Sequence, residues 1–276
     1  MVVRATAGID ETSGGFVHLW RQSSFIYVFM AALFIITAIA SFAPTSLGLI
    51  SRVWSGQQPP PPFVVHFHAA SMTLWLLLLL AQSTLAHKQR LDVHRKLGIF
   101  SLVLAPCILI SMYGMDLYGL GTFTTETNVL AVSETPPEQI AQMRRYIASI
   151  LLIHGSSYLL FPTFFLWAIV VRRTDNESHR RLMILATLVL MIPGLGRLLS
   201  VTNVLPDFGL MLLEARHFYL SLLIVPALIY DILQQRTIHR SYVIGLALLG
   251  SWMIAGHILW TSPWWLQTAP KLLGVS

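Results

Sequence analysis

An all-α integral membrane fold, a seven-helix bundle of one helix plus three pseudo-repeated hairpins, is predicted by three observations. Residues of the set AVILMFWYC make up 55% of the 276-residue chain and Asp, Glu, Lys and Arg only 11%, with a mean hydropathy of +0.68. A soluble domain carries about 25% charged residues. Seven apolar runs are each close to the roughly 20 residues that cross a hydrocarbon core as a helix. The basic residues fall predominantly on alternate connections.

The runs are 23–43, 63–86, 97–115, 146–171, 182–205, 208–230 and 242–262. Five carry no Asp, Glu, Lys or Arg; the fifth holds Arg197 and the sixth Glu214 and Arg216. The runs are continuously apolar and far too long for barrel strands, so helices are expected. Asp10 and Glu11 precede a first run too long for a cleavable signal, so 1–276 reads as a single membrane domain.

Orientation follows from the basic residues. With the N-terminus inside, the inner segments hold Arg4, Arg21, Lys88, Arg90, Arg95, Lys96, Arg172, Arg173, Arg180, Arg181, Arg236 and Arg240. The outer ones hold only Arg52, Arg144, Arg145, Arg197 and Lys271. This bias predicts N-in, C-out. Six acids lie inside and five outside, so the whole net charge of +6 falls on the inner side. The charge thus records topology, and no nucleic-acid partner is implied; the partner is the lipid bilayer.

The one sizeable loop, 116–145, is placed outside. Within it Thr135-Pro136-Pro137-Glu138 reads as a capping box opening a helix that runs into the fourth span. Pro59-Pro60-Pro61-Pro62 should form a stiff extended lead-in to the second span. Pro106, Pro162, Pro193 and Pro226 lie within spans, where each can kink a helix. The tryptophans fall mostly near span ends, with Trp260, Trp264 and Trp265 as an outer anchor and Trp75 in mid-span.

A repeat runs through the chain. His68 precedes His94-Arg95 by 26 residues, His154 precedes His179-Arg180 by 25, and His217 precedes His239-Arg240 by 22. Each unit is an outer-half histidine, a descending helix, a basic loop and a His-Arg pair opening the next helix. Asp92, Ser178 and Thr237 are candidate caps for those openings.

Topology sorts the histidines. His18, His87, His94, His179 and His239 lie at the inner edge; His66, His68, His154, His217 and His257 lie in the outer half. His68, His154, His217 and His257 come from four helices at a similar depth, roughly 8–14 Å below the outer boundary. Facing side chains at one depth are how bundle sites are built. Of the pair His66 and His68, two apart and on different faces, His68 is the one expected to point inward. Glu214 and His217 share a face, and Glu214 can alternatively reach Arg197 on the neighbouring helix.

Three classes of function fit. The first is haem b held by two outer histidines, with Trp75 and Met112 as pocket walls and Arg197 or Arg216 on a propionate, for redox or redox-assembly work with a respiratory or redox partner. The second is a zinc, copper or iron site drawn from His66, His68, His154, His217, His257 and Glu214, acting on a lipid-like substrate. The H-x-x-x-H spacing of adiponectin-receptor-like hydrolases is missing there, because residue 253 is Met. The third is a scaffold or small-solute carrier whose histidines make interhelical hydrogen bonds. For the inner His94 and His179, headgroup contact competes with a second haem or quinone site. Phosphate-loop, dinucleotide-binding, zincin and serine-hydrolase motifs are all missing.

The run His66-Phe67-His68, then Trp75, Gln82 and His94-Arg95-Lys96-Leu97-Gly98, followed by Glu177-Ser178-His179-Arg180-Arg181-Leu182-Met183, resembles a family of bacterial multi-pass membrane proteins with no established activity. The resemblance covers roughly residues 60–200 and implies a bacterial cytoplasmic membrane. A looser similarity of pattern links the chain to oxidase-assembly proteins and cytochrome b561-like bundles. The latter implies haem between His68 and His154, or between His217 and His257.

Overall fold

The computed structural model describes residues 24–126, 136–200, 205–206, 208–210 and 212–272. Ten helices and no strand occur among them: α1 (Phe25–Trp54), α2 (Phe63–His87), α3 (Leu91–Gly98), α4 (Phe100–Glu126), α5 (Pro137–Val171), α6 (Asn176–Val189), α7 (Ile192–Ser200), α8 (Leu212–Gln235), α9 (Arg240–Leu259) and α10 (Pro263–Leu272). Six helical stretches are long and apolar enough to cross a membrane, or seven if the bent pair α6–α7 counts as one. The third is α3 and α4 in near continuity.

The predicted hairpins are packed pairs: α2 with α4, α5 with α6, and α8 with α9. Helix α1 lies against α2, α6, α7 and α8. The start of α1 meets the end of α2, where Ser24 Oγ is 2.8 Å from His87 Nδ1. The His-Arg pairs gather at this end of the bundle. At the opposite end α10 packs on α5, with Trp265 Nε1–H donating to the Ala148 carbonyl over 3.1 Å. The segment after Ser262, expected only to anchor an interface, is therefore a helix of its own.

The fifth span is broken by its proline. Helices α6 and α7 meet at 44°. Pro193 has no N–H, so the Val189 carbonyl loses its donor four residues on. Ser157 Oγ of α5 donates to that carbonyl over 2.7 Å. A neighbouring hydroxyl thus satisfies a backbone group that lipid could not. Close approach elsewhere needs glycine. A Cβ on Gly245 of α9 would stand 2.5 Å from Leu185 Cδ1 of α6, and one on Gly256 would stand 2.5 Å from Leu213 Cδ2 of α8.

Several local expectations change. Helix α5 opens at Pro137 with Pro136 as its cap residue and no side-chain capping bond; Thr135 lies outside the described residues. Asp92 sits in the first turn of α3 and does not cap it. Asp175 caps α6, with Ser178 as its donor. His239, not Thr237, caps α9, its Nδ1 accepting from the Ser241 N–H at 3.2 Å. Burial holds the His239 ring below the usual imidazole range, helped by the Arg181 charge, which suits an accepting nitrogen.

Arg181 corrects a larger expectation. It was counted with the interfacial charges, yet its side chain is 0% exposed. Its Nε lies 3.1 Å from both Asp231 oxygens, its Nη2 2.6 Å from Asp231 Oδ1, and its Nη1 2.6 Å from Glu177 Oε2. Asp231 Oδ2 also accepts the His239 N–H over 3.0 Å. The guanidinium faces the Tyr242 ring at 5.8 Å. This network joins α6, α8 and the start of α9.

Removing one partner of a buried ion pair strands the other charge, which costs about 3–5 kcal/mol. Arg181→Ala should therefore lower the melting temperature in detergent far more than Arg180→Ala, and the double variant Arg181→Met/Asp231→Leu should recover much of the loss. A second expectation concerns acid. The Ser178 hydroxyl, the Ser178 N–H and then Arg240 hold the Asp175 carboxyl well below the usual carboxylate range. A folded-state value below the unfolded one stabilises above the ordinary value of about 3.9 and loses that contribution as pH falls. Asp175→Ala should cost about 1 kcal/mol at neutral pH. The gap between its melting curve and the wild type's should close on acidification.

Candidate functional site

The outer-half histidines do not converge. His66 is exposed, and His68 turns inward as expected, with Nδ1 3.0 Å from Ser111 Oγ of α4. His154 Nδ1 lies 2.8 Å from Asp116 Oδ1, and Tyr158 donates to Asp116 Oδ2 over 2.6 Å. Asp116, placed in the outer loop by sequence, is a buried acid inside α4. His217 Nδ1 lies 2.8 Å from the Leu213 carbonyl of its own helix. His257 is exposed and pairs with Glu214 Oε1 at 2.6 Å. Glu214 therefore does not reach Arg197.

Arg197 stands 4.9 Å over the Phe42 ring and 3.5 Å from Thr45 Oγ1. Arg216 lies against Gly196, so close that a Cβ there would be 2.5 Å from Nε. Met112 is buried in the main core. His68, His154 and His257 thus each have a separate partner on another helix. Among the described residues no group of three or more His, Cys, Asp or Glu is arranged to hold a metal ion. The set His66, His68, His154, His217, His257 and Glu214 does not form one centre: His66 is exposed, His257 and Glu214 pair with each other, and His68, His154 and His217 bond elsewhere.

A cavity of about 810 Å³ lies at the other end, where the His-Arg pairs are. It opens between the first hairpin and the second. His94 and Arg95 of α3 line it together with His179 and Arg180 of α6. Arg172 and Arg173 of the α5–α6 connection also line it. Trp75 lines it from within, held by its Nε1–H donating to Thr187 Oγ1 over 3.0 Å and by edge-on contact with Phe161 at 5.1 Å.

Two equivalent hydrogen bonds set the histidines. His94 Nδ1 is 3.2 Å from the Gln82 carbonyl, twelve residues back on α2. His179 Nδ1 is 2.9 Å from the Ala168 carbonyl, eleven residues back on α5. A carbonyl only accepts, so Nδ1 must carry the proton in both rings. In the neutral ring Nε2 is then a free lone pair, and no bond to either Nε2 is made by a described residue. A histidine oriented through its other nitrogen is the arrangement that ligand histidines use. His239 does not share it, since its Nδ1 is spent on capping; the third copy of the repeat departs at this point.

One further polar atom has no partner. The Gln82 Oε1 is buried and unbonded, and its side chain lines the same cavity. The side-chain nitrogen of Gln82 lies over Gly98, where a Cβ would come to 3.2 Å. Cavities of this size, apolar with a few convergent polar groups, are the usual form of a ligand site. Sequence reading weighted the outer layer instead. The signal for the inner pocket was the doubled His-Arg spacing together with Trp75 and Gln82 on one helix. The chain matches no protein-family model, no curated protein and no solved structure.

Proposed function

We propose that the protein binds haem b at the His-Arg end and serves redox or redox-assembly work, with His94 and His179 as the two axial ligands. The observation that carries this reading is the matched pair of Nδ1–H to backbone-carbonyl bonds, which leaves Nε2 free on two histidines that line the same 810 Å³ cavity. A haem iron needs only two protein ligands, so no cage of three side chains is required. Arg95 and Arg180, each following its histidine, are suited to the two propionates. Trp75 would bound the macrocycle from within the bundle. Bound there, haem would supply one-electron transfer, and the positive charge of the neighbouring arginines would favour its reduced state.

The basic residues favour a cytoplasmic location for this end, in a bacterial inner membrane. A redox partner would then meet the arginine-rich face from inside the cell. The outer-half alternatives, His68 with His154 and His217 with His257, have less support, because none of these four histidines lines the 810 Å³ cavity.

Protein purified after haem-replete expression should show a Soret band with one haem per chain. His94→Ala and His179→Ala should each abolish six-coordinate absorption, while His154→Ala and His257→Ala should keep it. Absence of the band in the wild type, or its survival in both inner variants, sinks the proposal. Orientation has its own check. Cys107 is the only cysteine; with it replaced by Ser, a single cysteine at Gln89 should react with a membrane-impermeant maleimide only after cells are opened.

A further inference from the structure

His217 has no part in the proposed haem site, yet it carries an unused nitrogen. Its side chain is only 4% exposed, and its Nε2 is buried without a hydrogen-bond partner. Nδ1 is committed to the Leu213 carbonyl and so bears the proton. The ring is neutral, because a buried imidazolium without a carboxylate bonded to it is strongly disfavoured. Nε2 is therefore a hydrogen-bond acceptor that nothing satisfies.

The ring lines a second cavity of about 230 Å³ between α6, α8 and α9. The walls are otherwise aliphatic, with Ile224, Leu246 and Met253 among them. The one other side-chain polar atom on the wall belongs to Ser221, and its hydroxyl proton is already given to the His217 carbonyl over 2.9 Å. What Ser221 offers the cavity is thus also acceptor lone pairs. Ser221 is exposed, so the cavity reaches the outer face of the bundle beside it. Water makes a poor tenant here: it needs several polar partners of both kinds, and the walls supply only acceptors.

We infer that this cavity is a binding site for a small lipophilic phenol or alcohol, whose O–H donates to His217 Nε2 and whose apolar body fills the aliphatic walls. The site is built for a donor because every side-chain polar group it presents accepts. Its size suits one substituted ring, since a cavity of about 150 Å³ holds benzene. Entry is from the bilayer, past Ser221, which matches a ligand that partitions into lipid. Leaving Nε2 unpaired is costly, so recognition should fall mainly on the O–H.

Gly250 gives a clean test. It lines the cavity, and a Cβ there would meet nothing within 4 Å, so a larger side chain can enter the space without displacing a neighbour. The full chain in detergent is titrated with 4-fluorophenol, and with its methyl ether 4-fluoroanisole, which keeps the oxygen and lacks the O–H donor, by fluorine NMR against empty micelles. Saturable binding of the phenol is expected, with the anisole weaker by about tenfold or more. His217→Leu should erase the difference between the two. Gly250→Val should abolish saturable binding of both while the protein melts no lower than wild type. Absence of saturable phenol binding, equal binding of phenol and anisole, or unchanged phenol binding by Gly250→Val overturns the inference.

Discussion

Arg181 sits fully buried between two acids, and the geometry of the whole His-Arg end follows from where its guanidinium must go. A charge at this depth has to be paired within the protein. The partners available are Glu177, one turn earlier on α6, and Asp231 on α8. Meeting both fixes the rotation of α6 about its axis. His179 lies two residues before Arg181, about 200° away around the helix. Turning Arg181 toward the third hairpin therefore turns His179 toward the first. Asp231 then uses its second oxygen to hold the His239 N–H, which sets where α9 begins. One ion pair thus orients His179 and seats the last hairpin.

The same demand for internal satisfaction accounts for the outer half. Asp116 is buried, and His154 and Tyr158 from the next helix close around it. Trp252 reaches from α9 to the Leu152 carbonyl, and Ser157 covers the carbonyl that Pro193 frees. These contacts, with those of His68 and His257, make three of the outer histidines crosslinks between helices. Their common depth, which suggested a shared centre, reflects the depth at which neighbouring helices need polar fastening.

Much of the architecture was legible in the chain. The long apolar runs marked the spans, the doubled His-Arg spacing marked two hairpins, and Pro193 marked a bend. The two-residue offset puts His66 and His68 on different faces, and the repeat singles out His68 as the inward one. The pairing of side chains was not legible. Runs such as 97–115 are apolar on every side, so periodicity says nothing about which face meets which neighbour. Asp116 and Asp231 each sit one residue beyond an apolar run and read as loop acids, although the helices continue past them. Arg181 looked like its neighbour Arg180, and only the packing of α8 separates a fully buried guanidinium from a half-buried one. The inner pocket was partly visible as a repeat, but its volume exists only between two hairpins and has no signature in either.

Each pocket histidine is tethered to the helix that precedes it in its own hairpin, His94 to α2 and His179 to α5. Neither ring is bonded across the cavity. Ring tautomer and tilt are therefore properties of a hairpin, whereas the spacing between the two Nε2 atoms is a property of how the hairpins lean on one another. A rigid-body tilt of one hairpin would part or approach the two nitrogens while leaving both rings in the same tautomer. The width of the pocket and the chemistry of its walls are thus set by separate contacts.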